Sequence, residues 1–331
     1  MHILILGGTR FVGRHMVEVA RQRGHQITLF NRGQSNPDLF PDVTTLRGDR
    51  DGDLQALRGK RWDTVVDTSG YVPRVVRDSA ELLVNAVDRY LFISSISVYA
   101  DPLPMEADES APLATIEDET VEEVTGETYG ALKALCEKAV QEVFGRRALI
   151  IRPGLIVGPH DPTDRFTYWP VRVARGGEVL APGTAARPVK LIDARDLAQW
   201  TVTMLEEAQS GVYHATGPEG RLTMGEVLAT CRAYSHSTAK FEWVDEDFLL
   251  QQEVRPFVDL PLWIPGDEGL AYGAIDVSHA VASGLTFRPL KETVADTMAW
   301  AETLPDDREW RAGLSPQREE ALLQAWYAAQ Q

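Results

Sequence analysis

Residues 1–14 read MHILILGGTRFVGR, and this opening stretch is the strongest indication of the fold in the chain. The apolar run at 2–6 is too short for a buried helix and is typical of a strand buried on both faces. A glycine turn follows at Gly7 and Gly8, and a helix is predicted from 11 to about 23. A strand, a glycine turn and a helix in this order direct backbone N–H groups at a pyrophosphate.

The three glycines of this stretch have different predicted uses. Gly7 and Gly8 permit a tight turn, and Gly13 lets the helix pack close to the strand. The frame is G-x-x-G-x-x-G with Arg10 in place of the middle glycine. A plain strand–turn–helix connection is the alternative, but the context on both sides favours a dinucleotide-binding turn. The predicted cofactor contacts here are Gly7, Gly8, Thr9, Arg10, Phe11, Val12 and Gly13.

Strand-like and helix-like segments alternate through the first half of the chain. This alternation predicts an α/β fold with a Rossmann-type doubly wound parallel sheet, in which ligands bind at the carboxyl ends of the strands. We expect the main sheet to be revisited near 190–193 and 211–215. The predicted strands are 2–6, 26–30, 43–46, 64–67, 90–95 and 148–152, and the predicted helices are 11–23, 53–57, 75–87 and 128–144.

Two domains are predicted. A dinucleotide-binding Rossmann domain comprises 1–158 plus about 189–216, and a smaller, mostly helical C-terminal substrate-binding lobe comprises about 159–188 and 217–331. The acidic segment 101–127 is expected to be a solvated loop, with a lid over the site as the alternative. Helices are predicted in the second lobe near 224–234, 293–304 and 315–330.

Composition limits the classes of function. The chain has 331 residues and a formal net charge of −16, which argues against nucleic acid because phosphate binding needs clustered Lys and Arg. No apolar run reaches the length of a membrane span, so no membrane partner is expected. Cys136 and Cys231 are too few for a disulfide framework or a zinc site, so we expect no metal and a reducing cytoplasm. A small-molecule substrate is expected, and a homodimer is compatible with the sequence.

Tyr129 and Lys133 stand four residues apart, on one face of a predicted helix. A phenol with a pKa of about 10 is a poor general base at neutral pH, and a nearby ammonium favours the phenolate. Ser95, at the end of the fifth predicted strand, can hydrogen-bond a substrate oxygen as its charge changes. An ordinary surface pair and turn chemistry are the alternatives. Together with the glycine turn, the three residues favour a catalytic site.

In these motifs the chain resembles the short-chain dehydrogenases/reductases of the extended type, the NAD-dependent epimerase/dehydratase family, over residues 1 to about 300. The resemblance implies that Ser95 polarises the substrate oxygen and that Tyr129 is the acid/base. It further implies that Lys133 lowers the pKa of Tyr129 and holds the nicotinamide ribose, and that Asp49 contacts the adenine. Further segments that resemble the family are 152–159, 192–198, 211–214 and Glu137.

The sequence departs from the family pattern at several positions. Leu6 and Arg10 replace a Thr and the middle glycine, and Val157 replaces a Tyr. The form G-G-T-R-F-V-G resembles an atypical branch that includes chloroplast stem-loop RNA-binding proteins and isoflavone-reductase-like proteins. The segment 186–191 lacks the family's phosphate-binding run, which weakens the inference of a nucleotide-sugar substrate.

The end of the second strand bears on the choice of nicotinamide cofactor. NAD sites usually have an acid there, whereas Arg accommodates the 2′-phosphate of NADP. Here Asn31 is followed by Arg32, and Arg10 lies in reach, so NADP(H) is favoured over NAD(H). A plain surface arginine is the alternative for Arg32. The remaining predicted cofactor contacts are Asn31, Arg32, Asp49, Arg50, Thr68, Ser69, Gly70, Pro153 and Leu155.

The substrate is less well specified than the cofactor. Arginines of the second lobe are candidate anion contacts, and Tyr168 and Trp169 are candidates to stack on a ring, with core packing as the alternative. The candidate substrate contacts are Tyr71, Ser97, Arg165, Tyr168, Trp169 and Arg187.

The predicted function is an NAD(P)-dependent enzyme that transfers hydride at a secondary alcohol or carbonyl carbon. Epimerase/dehydratase-type chemistry on a sugar or nucleotide sugar is the first expectation, and an NADPH-dependent reductase of a small carbonyl metabolite is the alternative. A non-catalytic NAD(P)-sensing or RNA-binding protein is an alternative of another class, which predicts a broken triad or a basic surface.

Overall fold

The computed structural model describes residues 1–305 and 307–330. The chain divides into two compact units. The first comprises Met1–Gly154, Ala194–Thr216 and Asp276–Thr286, and the second comprises Leu155–Asp193, Gly217–Ile275 and the described residues from Phe287 onward. The sequence-based division assigned 276–286 to the second lobe, whereas these residues belong to the first unit.

The strands are short and mostly buried. In chain order they are β1 His2–Leu6, β2 Gln26–Asn31, β3 Thr44–Arg47, β4 Thr64–Asp67, β5 Arg89–Ile93, β6 Ala148–Pro153, β7 Leu155–Val157, β8 Glu178–Pro182, β9 Leu191–Asp193, β10 Gly211–Ala215 and β11 Lys240–Val244.

Each helix buries part of its residues. In chain order they are α1 Phe11–Gln22, α2 Pro73–Leu83, α3 Tyr129–Phe144, α4 Tyr168–Ala174, α5 Ala194–Glu206, α6 Met224–Ser235, α7 Glu246–Gln251, α8 Gly266–Gly273, α9 Ser278–Ala282, α10 Leu290–Ala301 and α11 Pro316–Ala329. Within the described residues, no helix has the length and apolar character that crossing a membrane requires.

Seven strands of the first unit form one parallel sheet in the order β10-β6-β5-β4-β1-β2-β3. This confirms the predicted α/β class with a Rossmann-type sheet. The expectation that 190–193 joins this sheet is wrong, because β9 pairs with β7 in a two-stranded sheet of the second unit. All three residues of β9 are buried, and a short buried run does not specify its partner strand.

The strand order determines which loops of the first unit lie next to one another. β4 lies between β1 and β5 in the parallel sheet, so the carboxyl ends of these three strands are neighbours. The strands read as nearly continuous apolar runs because the core of the unit covers them. The residues that follow β1, β4 and β5 are therefore brought together at one edge of the sheet.

Candidate active site

The glycine turn after β1 has no room for side chains. Gly7 has φ +107° and Gly8 has φ +91°, a region that favours glycine. A Cβ at Gly8 would lie 2.6 Å from Leu29 Cδ2, and one at Gly13 would lie 2.9 Å from the Cα of Gly8. The turn therefore holds its backbone against the start of α1, as the dinucleotide-binding interpretation requires.

The N-terminus of α1 is suited to an anion. Arg10 precedes the helix in an extended conformation, with an exposed side chain that makes no capping hydrogen bond among the described residues. The first amides of a helix have no partner within the helix, and they carry its partial positive charge. Together with the tight glycine turn, this geometry fits the pyrophosphate of a dinucleotide. Phe11 and Val12, which begin the helix, are half-buried, whereas Thr9 is buried with its hydroxyl bonded to the carbonyl of Ser35.

The loop after β4 is bonded directly to the end of β1. The hydroxyl of Thr68 donates to the carbonyl of Leu6 at 2.9 Å, and the hydroxyl of Ser69 donates to the same carbonyl at 3.2 Å. A Cβ at Gly7 would lie 2.7 Å from Thr68 Oγ1. The predicted contacts of this loop therefore lie beside the glycine turn.

Arg50 is a correction to the predicted cofactor contacts. Its guanidinium is buried and donates two hydrogen bonds to Asp67, at 2.6 and 2.8 Å. The same carboxylate accepts from the hydroxyl of Tyr90 at 2.8 Å and from the amide of Ser69 at 3.0 Å. Burial and this carboxylate raise the pKa of Tyr90, which keeps its phenol protonated. Arg50 thus stabilises the carboxylate beneath the β4 loop instead of facing a ligand.

Sequence reasoning missed Asp67 as a functional candidate. The carboxylate is fully buried at the end of β4, an otherwise apolar strand. A single acid in such a run was the available signal, because a buried carboxylate requires a charged or hydrogen-bonding partner. The identity of that partner depends on the tertiary structure.

Lys133 lies beneath the site, between the ends of β4 and β5. Its ammonium donates to the carbonyl of Gly70 at 2.8 Å and to that of Ile93 at 2.7 Å. It also lies 4.1 Å from the centroid of the Phe92 ring. Burial lowers the pKa of Lys133 to about 8, against the nearby negative groups that raise it.

Tyr129 is the first residue of α3 and is half-buried, with its ring centroid 6.4 Å from that of Tyr71. Ser95 precedes a 3-10 turn, where its Oγ accepts from the amide of Ser97 at 3.0 Å and donates to Ser97 Oγ at 3.1 Å. A Cβ at Gly130 would lie 2.2 Å from the carbonyl oxygen of Ser97. The start of α3 is therefore packed directly on the serine turn.

Two arginines lie at the neighbouring ends of β2 and β3. Asn31 donates to the carbonyl of Gly7 at 3.1 Å and accepts a hydrogen bond from Arg47. Arg32 is largely exposed and lies 3.8 Å from the carboxylate of Asp49. Asn31 thus connects the glycine turn to β3. Arg32, for which binding of the 2′-phosphate is predicted, has the carboxylate of Asp49 as a neighbour.

Four predicted contacts lie close to the strand ends. Pro153 is the last residue of β6 and is buried, whereas Leu155 begins β7 in the second unit and is half-buried. Ser97 is half-buried in the serine turn, and the Tyr71 ring is 49% exposed. Tyr71 is therefore the accessible aromatic among these four.

The expectation that Tyr168 and Trp169 stack on a ligand is wrong. Both side chains belong to the core of the second unit, and Trp169 is fully buried. Its indole N–H donates to the carbonyl of Pro261 at 2.7 Å, which satisfies the polar atom inside the core. Core packing, the alternative at the sequence level, accounts for both residues.

The two candidate arginines of the second unit already have partners. The guanidinium of Arg165 lies 4.7 Å from the centroid of the Phe257 ring. Arg187 forms an ion pair with Glu246 and donates to the carbonyl of Gly266 at 2.7 Å. A role in anion binding stays a prediction for both.

No candidate metal site accompanies these residues. Within 1–305 and 307–330, no group of three or more His, Cys, Asp or Glu side chains is arranged to hold a metal ion. Cys136 and Cys231 are both free and buried.

Comparison with known protein families identifies one match. The model of the NAD dependent epimerase/dehydratase family matches residues 3–216. This segment includes the glycine turn, the serine turn and the first-unit helix that begins at Tyr129.

Two curated relatives illustrate the range of the similarity. The chloroplast stem-loop binding protein of 41 kDa b from Arabidopsis thaliana is 27% identical over 251 residues, which is 69% of this chain and 62% of that protein. The chain thus matches less than two thirds of that protein's length. UDP-glucose 4-epimerase of Neisseria meningitidis is 24% identical over 360 residues, covering 92% of this chain and 98% of that enzyme.

The solved structures share the fold. The Bordetella bronchiseptica enzyme WbmH, crystallised with NAD+, superimposes with a TM-score of 0.67 at 17% identity. The match covers 91% of this chain and 98% of that one.

Proposed function

The chain belongs to the NAD-dependent epimerase/dehydratase family, whose model covers 3–216, and on that premise we propose that it interconverts a secondary alcohol and a carbonyl on a sugar or nucleotide sugar. It is an NAD(P)-dependent enzyme by membership. One observation supports the proposed interconversion of alcohol and carbonyl: Lys133 and Tyr129 share a helix whose first turn packs on the serine turn of Ser95. A relative named UDP-glucose 4-epimerase supports the class of substrate.

In the proposed reaction Tyr129 exchanges a proton with the substrate oxygen. Its phenol needs a lowered pKa to act as a base near neutral pH, and the ammonium of Lys133 on the same helix favours the phenolate. The hydroxyl of Ser95 hydrogen-bonds the same substrate oxygen as its charge changes. These three side chains hold and move one proton at one oxygen.

The residues of the glycine turn fit the adenine dinucleotide, because a Cβ at Gly7, Gly8 or Gly13 would overlap existing atoms. The amides at the start of α1 would hold the pyrophosphate. A bound nicotinamide supplies a hydride acceptor and donor for the substrate carbon. Lys133 would hold the nicotinamide ribose through the ammonium that it now directs at two carbonyls.

NADP is the proposed form of the cofactor. Support comes from the exposed side chains of Arg10 and Arg32 and from the absence of an acid at Asn31. We expect Arg32→Ala to lower the affinity for NADPH about tenfold while the affinity for NADH changes little. The control is Arg146→Ala, which removes another exposed arginine of the first unit. An unchanged ratio of the two affinities, measured by fluorescence titration of the reduced nucleotides, would show that Arg32 does not read the 2′-phosphate.

The catalytic assignment is tested with Tyr129→Phe. The probes are UDP-glucose, UDP-N-acetylglucosamine and UDP-glucuronic acid, and the altered sugar nucleotide formed from each is followed by chromatography, because such a reaction leaves no net change in the nicotinamide. We expect the variant to bind nucleotide normally and to lose turnover by a factor of about 100 or more. Tyr234→Phe, an exposed tyrosine of the second unit, is the matched control. Undiminished turnover in Tyr129→Phe would remove the proposal.

The second candidate function is an NADPH-dependent reductase of a small carbonyl metabolite. The arginines near the end of β2 favour it, because they suit the 2′-phosphate of NADPH. Mass spectrometry of the nucleotide that co-purifies separates the two. A tightly retained nicotinamide dinucleotide is expected of an epimerase, and exchangeable NADPH is expected of a reductase. A cytoplasmic setting is also proposed, and the two free buried cysteines support it.

A further inference from the structure

One buried guanidinium joins the elements that carry the proposed catalytic residues. Arg152, near the end of β6, donates from Nε to Glu137 Oε1 at 2.9 Å and from Nη2 to Glu137 Oε2 at 2.7 Å. Its Nη1 donates to the hydroxyl of Tyr99 at 2.8 Å and to the carbonyl of Glu109 at 2.9 Å. The side chains of Arg152 and Glu137 are 3% and 1% exposed, so this pair is fully desolvated.

Each partner of this guanidinium belongs to a different segment. Glu137 lies on α3, one turn beyond Lys133. Tyr99 ends the 3-10 turn that Ser95 begins. Glu109 belongs to the acidic segment that connects that turn to α3, and this part of the segment is therefore anchored instead of freely solvated.

The hydrogen bonds around Arg152 define which atoms of His214 and Tyr99 carry a proton. His214 Nδ1 lies 2.7 Å from the carbonyl oxygen of Asp276, which can only accept, so Nδ1 carries the proton. Burial lowers the pKa of His214, so its Nε2 is an acceptor, and the hydroxyl of Tyr99 donates to it. Burial raises the pKa of Tyr99 to about 12. Tyr99 thus accepts from Arg152 and donates to His214 at the same time.

We propose that Arg152, Glu137 and Tyr99 are positioning residues that clamp the Ser95 turn against the start of α3. The reason is geometric: one rigid guanidinium fork fixes the helix through Glu137 and the turn through Tyr99. The clamp sets the separation between the hydroxyl of Ser95 and the phenol of Tyr129. Its consequence for catalysis depends on the proposed function, whereas the clamp itself does not.

Stability alone is a weak explanation for this arrangement. Desolvation of two charges often cancels the gain from their attraction, and apolar replacements of a buried pair are commonly neutral. A bidentate fork with a third and a fourth acceptor instead supplies orientation. A clamp and a purely stabilising pair therefore make different predictions for the same substitutions.

The first test uses Tyr99→Phe, which removes one hydroxyl and keeps the ring. Hydrogen exchange followed by mass spectrometry is expected to be about tenfold faster for 95–99 and 129–137 and unchanged for β1, because the hydrogen bonds of Tyr99 with Arg152 and His214 are both lost locally. Tyr213→Phe is the control, since the hydroxyl of that buried residue donates to the nearby carbonyl of Ser210 at 3.2 Å and not to the Arg152 network. Unchanged exchange, or an equal acceleration in β1, would overturn the clamp.

The second test uses the double variant Glu137→Met, Arg152→Met, which leaves no unpaired charge and is expected to fold. With UDP-glucose as the first probe, or whichever of the three sugar nucleotides the unsubstituted chain turns over, formation of the altered sugar nucleotide is expected to slow about 100-fold at an unchanged affinity for nucleotide. Arg172→Met with Glu319→Met removes another buried pair, at 2.5 Å in the second unit, as the control. Full activity of the double variant together with an inactive Tyr129→Phe would overturn the positioning role and leave the proposed function standing. Full activity of Tyr129→Phe would remove the proposed function, and hydrogen exchange would still decide the clamp.

Discussion

At the scale of single residues, burial of the Lys133 ammonium lowers the stability of the folded chain. Burial lowers the pKa of its ammonium from 10.5 to about 8, so the folded chain holds this proton less tightly than the unfolded chain does. Below pH 8 the lysine is charged in both states, and folding bears the full cost of burying the charge. Between pH 8 and 10.5 the unfolded chain binds more protons, so stability from this group rises with pH.

Lys133→Met removes this titration. We expect the unsubstituted chain to gain about 3 kcal/mol of unfolding free energy relative to the variant as pH rises from about 8 to 10.5. Urea denaturation at several pH values measures the difference. Lys138→Met is the control on the same helix, because that side chain is 55% exposed. Equal pH dependence in the Lys133 and Lys138 variants would show that the ammonium of Lys133 is not desolvated.

The sequence predicts some site residues far better than others. Ser95, Tyr129 and Lys133 could be proposed because their types and spacing fit one chemistry, and the structure brings their segments together. The roles of Arg50 and Arg152 could not be predicted, because a buried guanidinium is defined by acceptors far away in sequence. The sequence left the role of Trp169 open between ligand stacking and core packing, since an aromatic residue in a loop fits both, and only the tertiary structure shows that it is buried.

At the scale of elements, α3 depends on one close approach. Gly130 follows Tyr129, and a Cβ there would lie 2.2 Å from the backbone oxygen of Ser97, which has little freedom to move. We expect Gly130→Ala to push the start of α3 away from the serine turn. Turnover is then expected to fall about 100-fold, while nucleotide affinity stays near that of the unsubstituted chain.

The control for this substitution is Gly126→Ala. A Cβ at Gly126 meets no heavy atom within 4 Å, and the residue lies in the segment that leads into α3. Steady-state kinetics on the UDP-sugar probes and nucleotide titration measure the two effects separately. Normal turnover in Gly130→Ala would mean that the phenol and the serine tolerate displacement.

The sequence predicts the bounds of an element where local signals set them, and it does not predict pairings that depend on distant residues. The helix predicted at 128–144 is observed at Tyr129–Phe144, because its apolar spacing and its terminal Gly145 are local signals. β1 was equally readable from five residues and a glycine turn. The pairing of β9 with β7 could not be predicted from the sequence, because three buried residues carry no information about which strand lies beside them.

At the scale of the whole molecule, charge argues against RNA as a partner. The chain carries 49 acidic and 33 basic side chains, yet a chloroplast stem-loop binding protein is among its relatives. Several exposed arginines of the first unit are already paired with carboxylates, as in Arg74 with Glu122 and Arg77 with Glu142. Such pairs leave little cationic surface to displace the counterions of a phosphate backbone.

We therefore expect a stem-loop RNA to bind no more tightly than a Kd of about 100 μM at physiological salt, the weak end of non-specific binding. A gel-shift titration with the full chain measures this, and the Arabidopsis protein serves as the comparison under the same conditions. Binding in the micromolar range that survives physiological salt would contradict the expectation. If Tyr129→Phe kept such binding and no variant showed turnover, the non-catalytic function would replace the enzymatic one, because a net charge of −16 would then conceal a local basic surface.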